Sequence, residues 1–281
     1  MELQGWHGSL NLEYGKREDA TVVLSSQNKA PLKVQRPFYP EGNEVCHSVI
    51  LHTAGGVVGG DRLSIDLHLR PETSALITTA AASKVYRSKG LLAKQNINIK
   101  VEEGACLEWL PQPLILFDAA NYRQDLIVEL APGSSWLGWE IIRFGRSARG
   151  ERFLEGKWRS HTEFWRENRP LWIDRQRLDG GEKMLESPLG LAGCSIAGSL
   201  VWIGQPARAE IVEKTRSLWE ATSGASSREG QLQAGVTRLP EGILCRYRGN
   251  SIADVTNWFM AVWHQLRLSF LGRPSCRPRV W

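Results

Sequence analysis

The sequence predicts a mainly β protein: a layered, antiparallel, multi-stranded β architecture with about two α-helices near its C-terminus. Three observations carry that expectation. From Leu10 to about Leu178 the apolar residues recur with a period of two rather than 3.6, the mark of half-buried strands. Turn signals of Gly, Pro and acidic residues punctuate that stretch about every 30 residues. Near the C-terminus a clear 3.6-residue apolar period takes over.

Taken in order, Ile65, Leu67 and Leu69 alternate with polar residues, as do Ile97, Ile99 and Val101, and then Leu126, Val128 and Leu130. The intervening turns are Pro71-Glu72-Thr73, Glu102-Glu103-Gly104 and Ala131-Pro132-Gly133, which leaves room for two strands between successive marks. Ser74-Ala75-Leu76-Ile77, Gly104-Ala105-Cys106-Leu107 and Gly133-Ser134-Ser135-Trp136-Leu137 are weakly self-similar. They suggest stacked β units, although three imperfect copies do not establish a solenoid. Residues 187–207 are uncharged, yet Pro188, Gly190, Gly193, Gly198, Gly204 and Pro206 make them buried strand and turn rather than a membrane span. A helix is expected from Ala207 to about Trp219, with Ile211, Val212, Thr215 and Leu218 on one side. A hairpin follows, in which Leu232, Ala234 and Val236 alternate, Pro240-Glu241-Gly242 turns, and Ile243 to Tyr247 return. The terminal helix carries Ile252, Val255, Phe259, Val262, Trp263, Leu266 and Phe270 at three- and four-residue steps. Ser251 with Asp254 forms its capping box, and Gly272 with Pro274 stops it. With no low-complexity linker, residues 1–281 read as one domain, β-rich over 1–205 and helix, hairpin and helix over 206–281.

At 281 residues and 42% apolar the chain can bury a substantial core, and a net charge of +5 from 35 cations and 30 anions is weak support for nucleic-acid binding. Twenty-five of the cations are Arg, and 12 Trp accompany them. Both residue types anchor interfaces, and both also suit a Trp-rich core covered by Arg stems. Five scattered Cys without a Cys-x-x-Cys pair read as reduced, mostly buried thiols. The N-terminal residues show no secretory pattern, so the expected location is the cytoplasm.

Gly55-Gly56-Val57-Val58-Gly59-Gly60-Asp61-Arg62 lacks both the Lys-Ser/Thr of a phosphate loop and the Gly-x-Gly-x-x-Gly of a dinucleotide site. It reads as a paired tight turn, while Asp61 beside flexible backbone is a candidate cation ligand. Six dispersed His make a fixed His/Cys metal site improbable, and Cys46 and His47, adjacent on a strand, face opposite ways. Ser195, in Gly193-Cys194-Ser195-Ile196-Ala197-Gly198, misses the nucleophile-elbow spacing by one residue and reads as an ordinary buried serine. Between Gly138 and Phe153, Arg143, Arg146, Arg149 and Arg152 recur every three residues among acids. That segment is either a solvated salt-bridge network or a docking surface or lined passage in which Glu140 sits opposite fixed cations.

Five ordered segments resemble the urease accessory protein UreD (UreH) family. They are Pro31-Leu32-Lys33-Val34-Gln35-Arg36-Pro37-Phe38-Tyr39-Pro40-Glu41-Gly42, residues 55–63, Thr78-Thr79-Ala80-Ala81-Ala82-Ser83-Lys84-Val85-Tyr86-Arg87-Ser88, Leu107-Glu108-Trp109-Leu110-Pro111-Gln112-Pro113, and residues 138–153. The resemblance implies a β-rich, non-catalytic scaffold of nickel-dependent urease maturation. It implies UreF as a partner, the GTPase UreG through UreF, and docking on urease apoprotein, with no nucleic acid or membrane partner. It also implies nickel in transit through an acid-lined passage, with no cofactor held permanently. By motif, Asp61, Glu140 and Asp174 become the expected nickel contacts, with Ser83 and Lys84 as passage-lining or gating groups. Asp174 stands where a Glu is more usual, and His52-Thr53-Ala54 where relatives often carry His-Pro-Pro. The Trp- and Arg-rich surface and the C-terminal helix become candidate partner contacts, and poor solubility of the lone chain is expected. The competing reading is a hydrolase that uses the Asp61 and Glu140 carboxylates as general acid and base.

Overall fold

The structure, a computed structural model, describes residues 5–146, 149–222 and 233–281. Of the residues discussed above, Ser147, Ala148 and Leu232 lie outside the described residues. The strands begin with β1 (His7–Arg17), β2 (Ala20–Lys29), β3 (Leu32–Val34), β4 (Val45–His52), β5 (Arg62–Leu69) and β6 (Ser74–Thr79). They continue with β7 (Ser83–Val85), β8 (Ala93–Val101), β9 (Cys106–Leu110), β10 (Leu114–Leu116), β11 (Asn121–Leu130) and β12 (Ser135–Phe144). The last are β13 (Lys157–Arg166), β14 (Arg169–Asp179), β15 (Ile196–Ile203), β16 (Gln233–Leu239) and β17 (Gly242–Gly249). Three α-helices, α1 (Glu182–Glu186), α2 (Ala209–Thr222) and α3 (Ile252–Leu266), are joined by a π-helical turn at Arg267–Leu271 that continues α3.

Among the described residues the strands form two sheets. The outer sheet has the order β14-β13-β11-β8-β5-β1-β2. The central sheet has the order β16-β17-β15-β12-β9-β6-β4-β3, with β10 and β7 attached beside β12. The mainly β, layered class agrees with the sequence, but the sheets are mixed rather than antiparallel. Pairing is antiparallel only toward the flanks, as in β1 with β2, β13 with β14, and β12, β15, β17 and β16 in succession. The runs β1-β5-β8-β11-β13 and β4-β6-β9-β12 are parallel.

The physical reason is that the tight turns after β5, β8 and β11 carry the chain from one sheet to the other instead of folding it back within one. Strands β5, β8 and β11 end in the outer sheet, and after four residues in each case β6, β9 and β12 begin in the central one. Successive coils therefore stack in parallel. The three self-similar segments lie side by side, with Ser74 paired to Cys106 and Cys106 to Ser135. The predicted alternating residues align across the outer sheet into aliphatic rows: Leu12, Leu67, Ile99 and Val128 form one, and Leu10, Ile65, Ile97 and Leu126 another. All eight are buried between the sheets.

A second core lies between the other face of the central sheet and the helices. Trp139, Leu200 and Trp202 from the sheet meet Val212 of α2 and Val255, Trp258, Phe259, Val262 and Trp263 of α3. The capping box appears as expected, with the Asp254 amide donating to Ser251 Oγ at 3.1 Å. The apolar side of α3 is thus already covered, which leaves it unavailable as a partner contact. Trp109, Trp136, Trp139, Trp158, Trp202, Trp258 and Trp263, seven of the 12, are buried, so most of the tryptophan content serves the two cores and not a Trp-rich surface. The Cys residues are free thiols, four of them buried. Burial pushes Cys106 up to about 12 and raises Cys46 and Cys245 as well, which keeps them protonated at neutral pH.

A buried ionic cluster fastens the helical layer to the sheet. Arg267, fully buried in the π-helical turn, donates to Glu41 Oε2 at 2.6 Å, and its Nε lies 3.2 Å from Glu108 Oε1. Trp263 Nε1 donates to Glu108 Oε1 at 2.7 Å, and His47 Nε2 lies 2.6 Å from Glu41 Oε1. Desolvation raises Glu108, whereas Glu41, less deeply placed, is held below the usual carboxylate range by His47 and Arg267 despite its own desolvation. Removing the cation from such a cluster strands two carboxylates. Arg267→Ala is therefore expected to cost about 3–5 kcal/mol in denaturant unfolding, and a loss under 1 kcal/mol would contradict this role.

Candidate functional site

The aliphatic rows give way to polar ones at a neighbouring register. In the outer sheet Leu63 aligns with Gln95, Gln95 with Gln124, Gln124 with Ser160, and Ser160 with Gln176. One step along, Thr162 aligns with Asp174. In the central sheet Glu140 aligns with Ser199, and Ser199 with Arg246. Strand alternation puts Glu140 on the same face as Trp136 and Ile142, toward the outer sheet. A cavity of about 310 Å³ lies between the sheets, lined by Gln95, Gln124, Gln176 and Ser199 of these rows and also by Ile65, Ile97 and Leu126 of the neighbouring aliphatic row.

Glu140 and Asp174 both line this cavity. Glu140 receives hydrogen bonds from Gln124 Nε2 at 2.8 Å on Oε1 and from Ser160 Oγ at 3.1 Å on Oε2. Burial, reinforced by the Asp174 charge, raises its carboxyl to about 7 against the lowering effects of Ser160, Arg246 and Gln124. Asp174 is held differently. Arg246 donates to its Oδ1 at 2.7 Å and Gln176 Nε2 to its Oδ2 at 2.8 Å, while Arg246 also reaches Ser199 Oγ. The arrangement is thus two carboxylates of unlike environment, one at the edge of protonation at neutral pH and one tied to a guanidinium.

Ser83 and Lys84 line the cavity too, from β7. Lys84 is exposed and Ser83 half-buried. Their strand is held by the Val57 amide donating to Lys84 O at 2.8 Å and the Ser83 amide donating to Pro113 O at 3.0 Å. Asp61 lies elsewhere. Its buried carboxylate does not border the cavity and accepts from the Trp6 amide at 2.8 Å and the Val58 amide at 2.9 Å. It is a turn anchor by geometry, and the structure does not bring it together with Glu140 and Asp174. Gly60 beside it adopts φ +94°, and a Cβ on Gly5 would lie 2.1 Å from the Gly60 carbonyl carbon, so the glycines serve this close crossing of backbones.

The Arg-rich stretch does not form one patch. Arg143 is half-buried on the face of β12 opposite Glu140, Arg146 pairs with Glu151 and stacks 4.4 Å from the Phe117 ring, and Arg152 pairs with Glu186 of α1. The cation near Glu140 is instead Arg246 of β17, which sequence reading missed together with Gln124, Ser160, Gln176 and Ser199. Ser195 is half-buried, and its hydroxyl donates to Asn250 Oδ1 at 3.0 Å. Among the described residues no group of three or more His, Cys, Asp or Glu is placed to hold a metal ion. No helix among them is long and apolar enough to cross a membrane.

Comparison with known proteins gives a consistent result. The family model described as UreD urease accessory protein matches residues 7–281. A urease accessory protein UreD from Nostoc punctiforme is 64% identical over 278 residues, covering 99% of this chain and 96% of the relative. Those of Acaryochloris marina and Dechloromonas aromatica are 53% and 39% identical, covering 100% and 98% of this chain and 96% and 94% of the relatives.

The raised Glu140 carboxyl has a consequence for stability. Between the unfolded value of 4.5 and about 7 the unfolded chain releases a proton that the folded chain keeps, so folding stability falls as pH rises across that window. Glu140→Gln removes the titration while keeping an acceptor and the shape. Its stability relative to the parent is expected to rise by on the order of 2–3 kcal/mol between pH 4.5 and 8, read by denaturant unfolding at each pH; a pH-independent difference would contradict the assignment.

Proposed function

The chain belongs to the UreD family of urease accessory proteins, and from that premise we propose that it is a non-catalytic scaffold that passes nickel toward urease apoprotein through the cavity between its sheets. A role in urease maturation follows from family membership. The observation that carries the finer reading is the pair of acids on that cavity, Glu140 and Asp174, which share its lining with His52 but, among the described residues, belong to no group of three or more His, Cys, Asp or Glu placed to hold an ion. Carboxylates hold a borderline cation such as Ni²⁺ less tightly than His and Cys would, and a conduit must release what it takes up.

The two acids play different parts in this account. A divalent cation arriving at Glu140 favours the ionised carboxylate and expels the proton that burial otherwise retains. Gln124 and Ser160 keep the carboxylate aimed during that exchange. At Asp174 the ion meets a site already neutralised by Arg246, so it binds only by loosening that pair, and the returning guanidinium helps to eject it. Ser83 and Lys84 act from β7 on the same lining, with the exposed ammonium as a gating charge. Asp61 contributes by holding residues 58–61 against the N-terminal strand rather than as an ion contact. UreF, UreG recruited through UreF, and urease apoprotein are the partners that the family resemblance implies, and nucleotide energy comes from UreG because this chain carries no phosphate loop.

The relatives are named accessory proteins, which points away from catalysis. The hydrolase alternative also loses its geometry, because an acid and a base must reach the same substrate atoms and the Asp61 carboxylate is engaged elsewhere. The test is a urease-expressing cell carrying Glu140→Gln or Asp174→Asn in this chain. Urease activity and nickel content are expected to fall at least tenfold while the chain still co-purifies with its partners. Full nickel loading in both variants would refute the passage, and turnover of an ester, glycoside or phosphate ester by the isolated chain would favour the hydrolase.

A further inference from the structure

We propose that one end of the stacked coils, built by residues 55–62 and 84–94 together with Trp6, is a docking surface for an acidic segment of a partner protein that presents one or two large apolar side chains. Four exposed apolar residues gather there. Trp6 is 54% exposed, Val58 45%, Leu91 51% and Leu92 45%, among the most exposed large apolar side chains of the described residues.

Their proximity is fixed by the backbone. Asp61 Oδ1 and Oδ2 accept from the amides of Trp6 and Val58, bringing the N-terminal strand and the glycine turn to one carboxylate. The Gly60 amide donates to Leu92 O at 3.2 Å, and a Cβ on Gly60 would meet Leu91 Cδ1 at 3.8 Å. The loop that carries Leu91 is itself tied down, with Ser88 Oγ donating to Leu91 O at 2.6 Å and Asn121 Nδ2 to Gly90 O at 3.1 Å. An apolar group held in fixed geometry at a loop end, with no packing role in either core, is the form that recognition surfaces take.

Charge identifies the occupant. Arg62, Lys84, Arg87 and Lys89 are all exposed, and among the described residues none of them forms a salt bridge. Residues 55–62 and 84–94 contain one acid, Asp61, whose buried carboxylate is taken up by the Trp6 and Val58 amides, so these two segments offer the four cations no counter-charge of their own. Exposed cations without salt bridges on the same two segments as exposed apolar anchors call for a partner that brings carboxylates with an apolar knob. A rigid, hydrogen-bonded platform of four side chains suits the shape of a protein segment better than a fluid lipid surface, which favours an amphipathic helix. The surface stands on these observations alone and does not depend on the ion passage. It does border it: Gly55, Gly56, Val57 and Lys84 line the cavity, so a partner seated on Val58 and Leu91 covers that end.

The test uses the assembly purified from cells that express the complete urease gene set with this chain tagged, treated with a carbodiimide that joins amines to carboxylates in contact. Cross-links from Lys84 or Lys89 to Asp or Glu of a partner are expected. Leu91→Asp combined with Leu92→Asp should lower recovery of that partner at least tenfold, with the melting temperature of the chain unchanged because both side chains are exposed. Lys89→Glu should weaken recovery and be restored by exchanging the cross-linked partner acid for Lys. An intact assembly without cross-links from this surface, or unchanged partner recovery with Leu91→Asp and Leu92→Asp, would overturn the proposal. So would sedimentation of the parent but not the variant with phosphatidylglycerol vesicles while partner recovery is unchanged, since that outcome marks a lipid site. Glu140→Gln should leave the cross-links in place, which separates failure of this surface from failure of the passage.

Discussion

Parallel register across the stacked coils is the constraint on which everything else in this chain depends. Tight turns after β5, β8 and β11 send the chain to the central sheet, and hydrogen bonds between coils, such as the Cys106 amide to Thr73 O and the Ser135 amide to Ala105 O, fix each coil against the last. Once that register is set, the identity of a residue at one step decides the identity of a whole row. Leu67, Ile99 and Val128 make a row that drives collapse; Gln95, Gln124 and Ser160 make one that resists it. The cavity lies where polar residues of the two sheets, Gln95, Gln124 and Gln176 against Glu140 and Ser199, meet beside the Ile65, Ile97 and Leu126 row, so register sets much of its lining.

Buried charge is managed in two contrasting ways on the two faces of the central sheet. On the helical side Arg267 is enclosed by Glu41, Glu108 and Trp263, an arrangement that favours one fixed geometry. On the cavity side Glu140 is given neutral hydrogen-bond donors and no direct cation, which leaves its charge state adjustable. Asp174 has its cation, but Arg246 is partly exposed and reaches across from the opposite sheet. The first cluster locks layers together, and the second holds two carboxylates of unlike environment at the cavity of the proposed passage. That difference is what distinguishes a structural ion cluster from a candidate conduit in the same molecule.

Much of the architecture was legible in the sequence because strand alternation, turn residues and helix caps are local signals. The alternating runs of β5, β8 and β11, the hairpin of β16 and β17, and the capped helix α3 all lie close to where periodicity put them. Strand direction was not legible, since a turn such as Ala131-Pro132-Gly133 looks alike whether it returns within a sheet or crosses to another. Glu140 stood out in its Arg-rich segment and Asp174 came from the family resemblance, and their meeting at one cavity depends on how the central sheet, which carries β12, packs on the outer sheet, which carries β14. Asp61 shows the opposite case, an acid whose sequence setting suggested an ion and whose contacts are two amides. Arg246 carried no signal at all, because its role depends on a strand more than 70 residues away, in the other sheet.

The account makes the cavity between Glu140 and Asp174 the place where nickel is held in passing. The most direct test is anomalous diffraction at the nickel edge from crystals of the chain in its urease assembly exposed to Ni²⁺. The account predicts a peak inside this cavity, in contact with the Glu140 carboxylate and displacing Arg246 from Asp174. Nickel bound in the assembly with no density in the cavity, or a peak confined to the Asp61 turn, would contradict it.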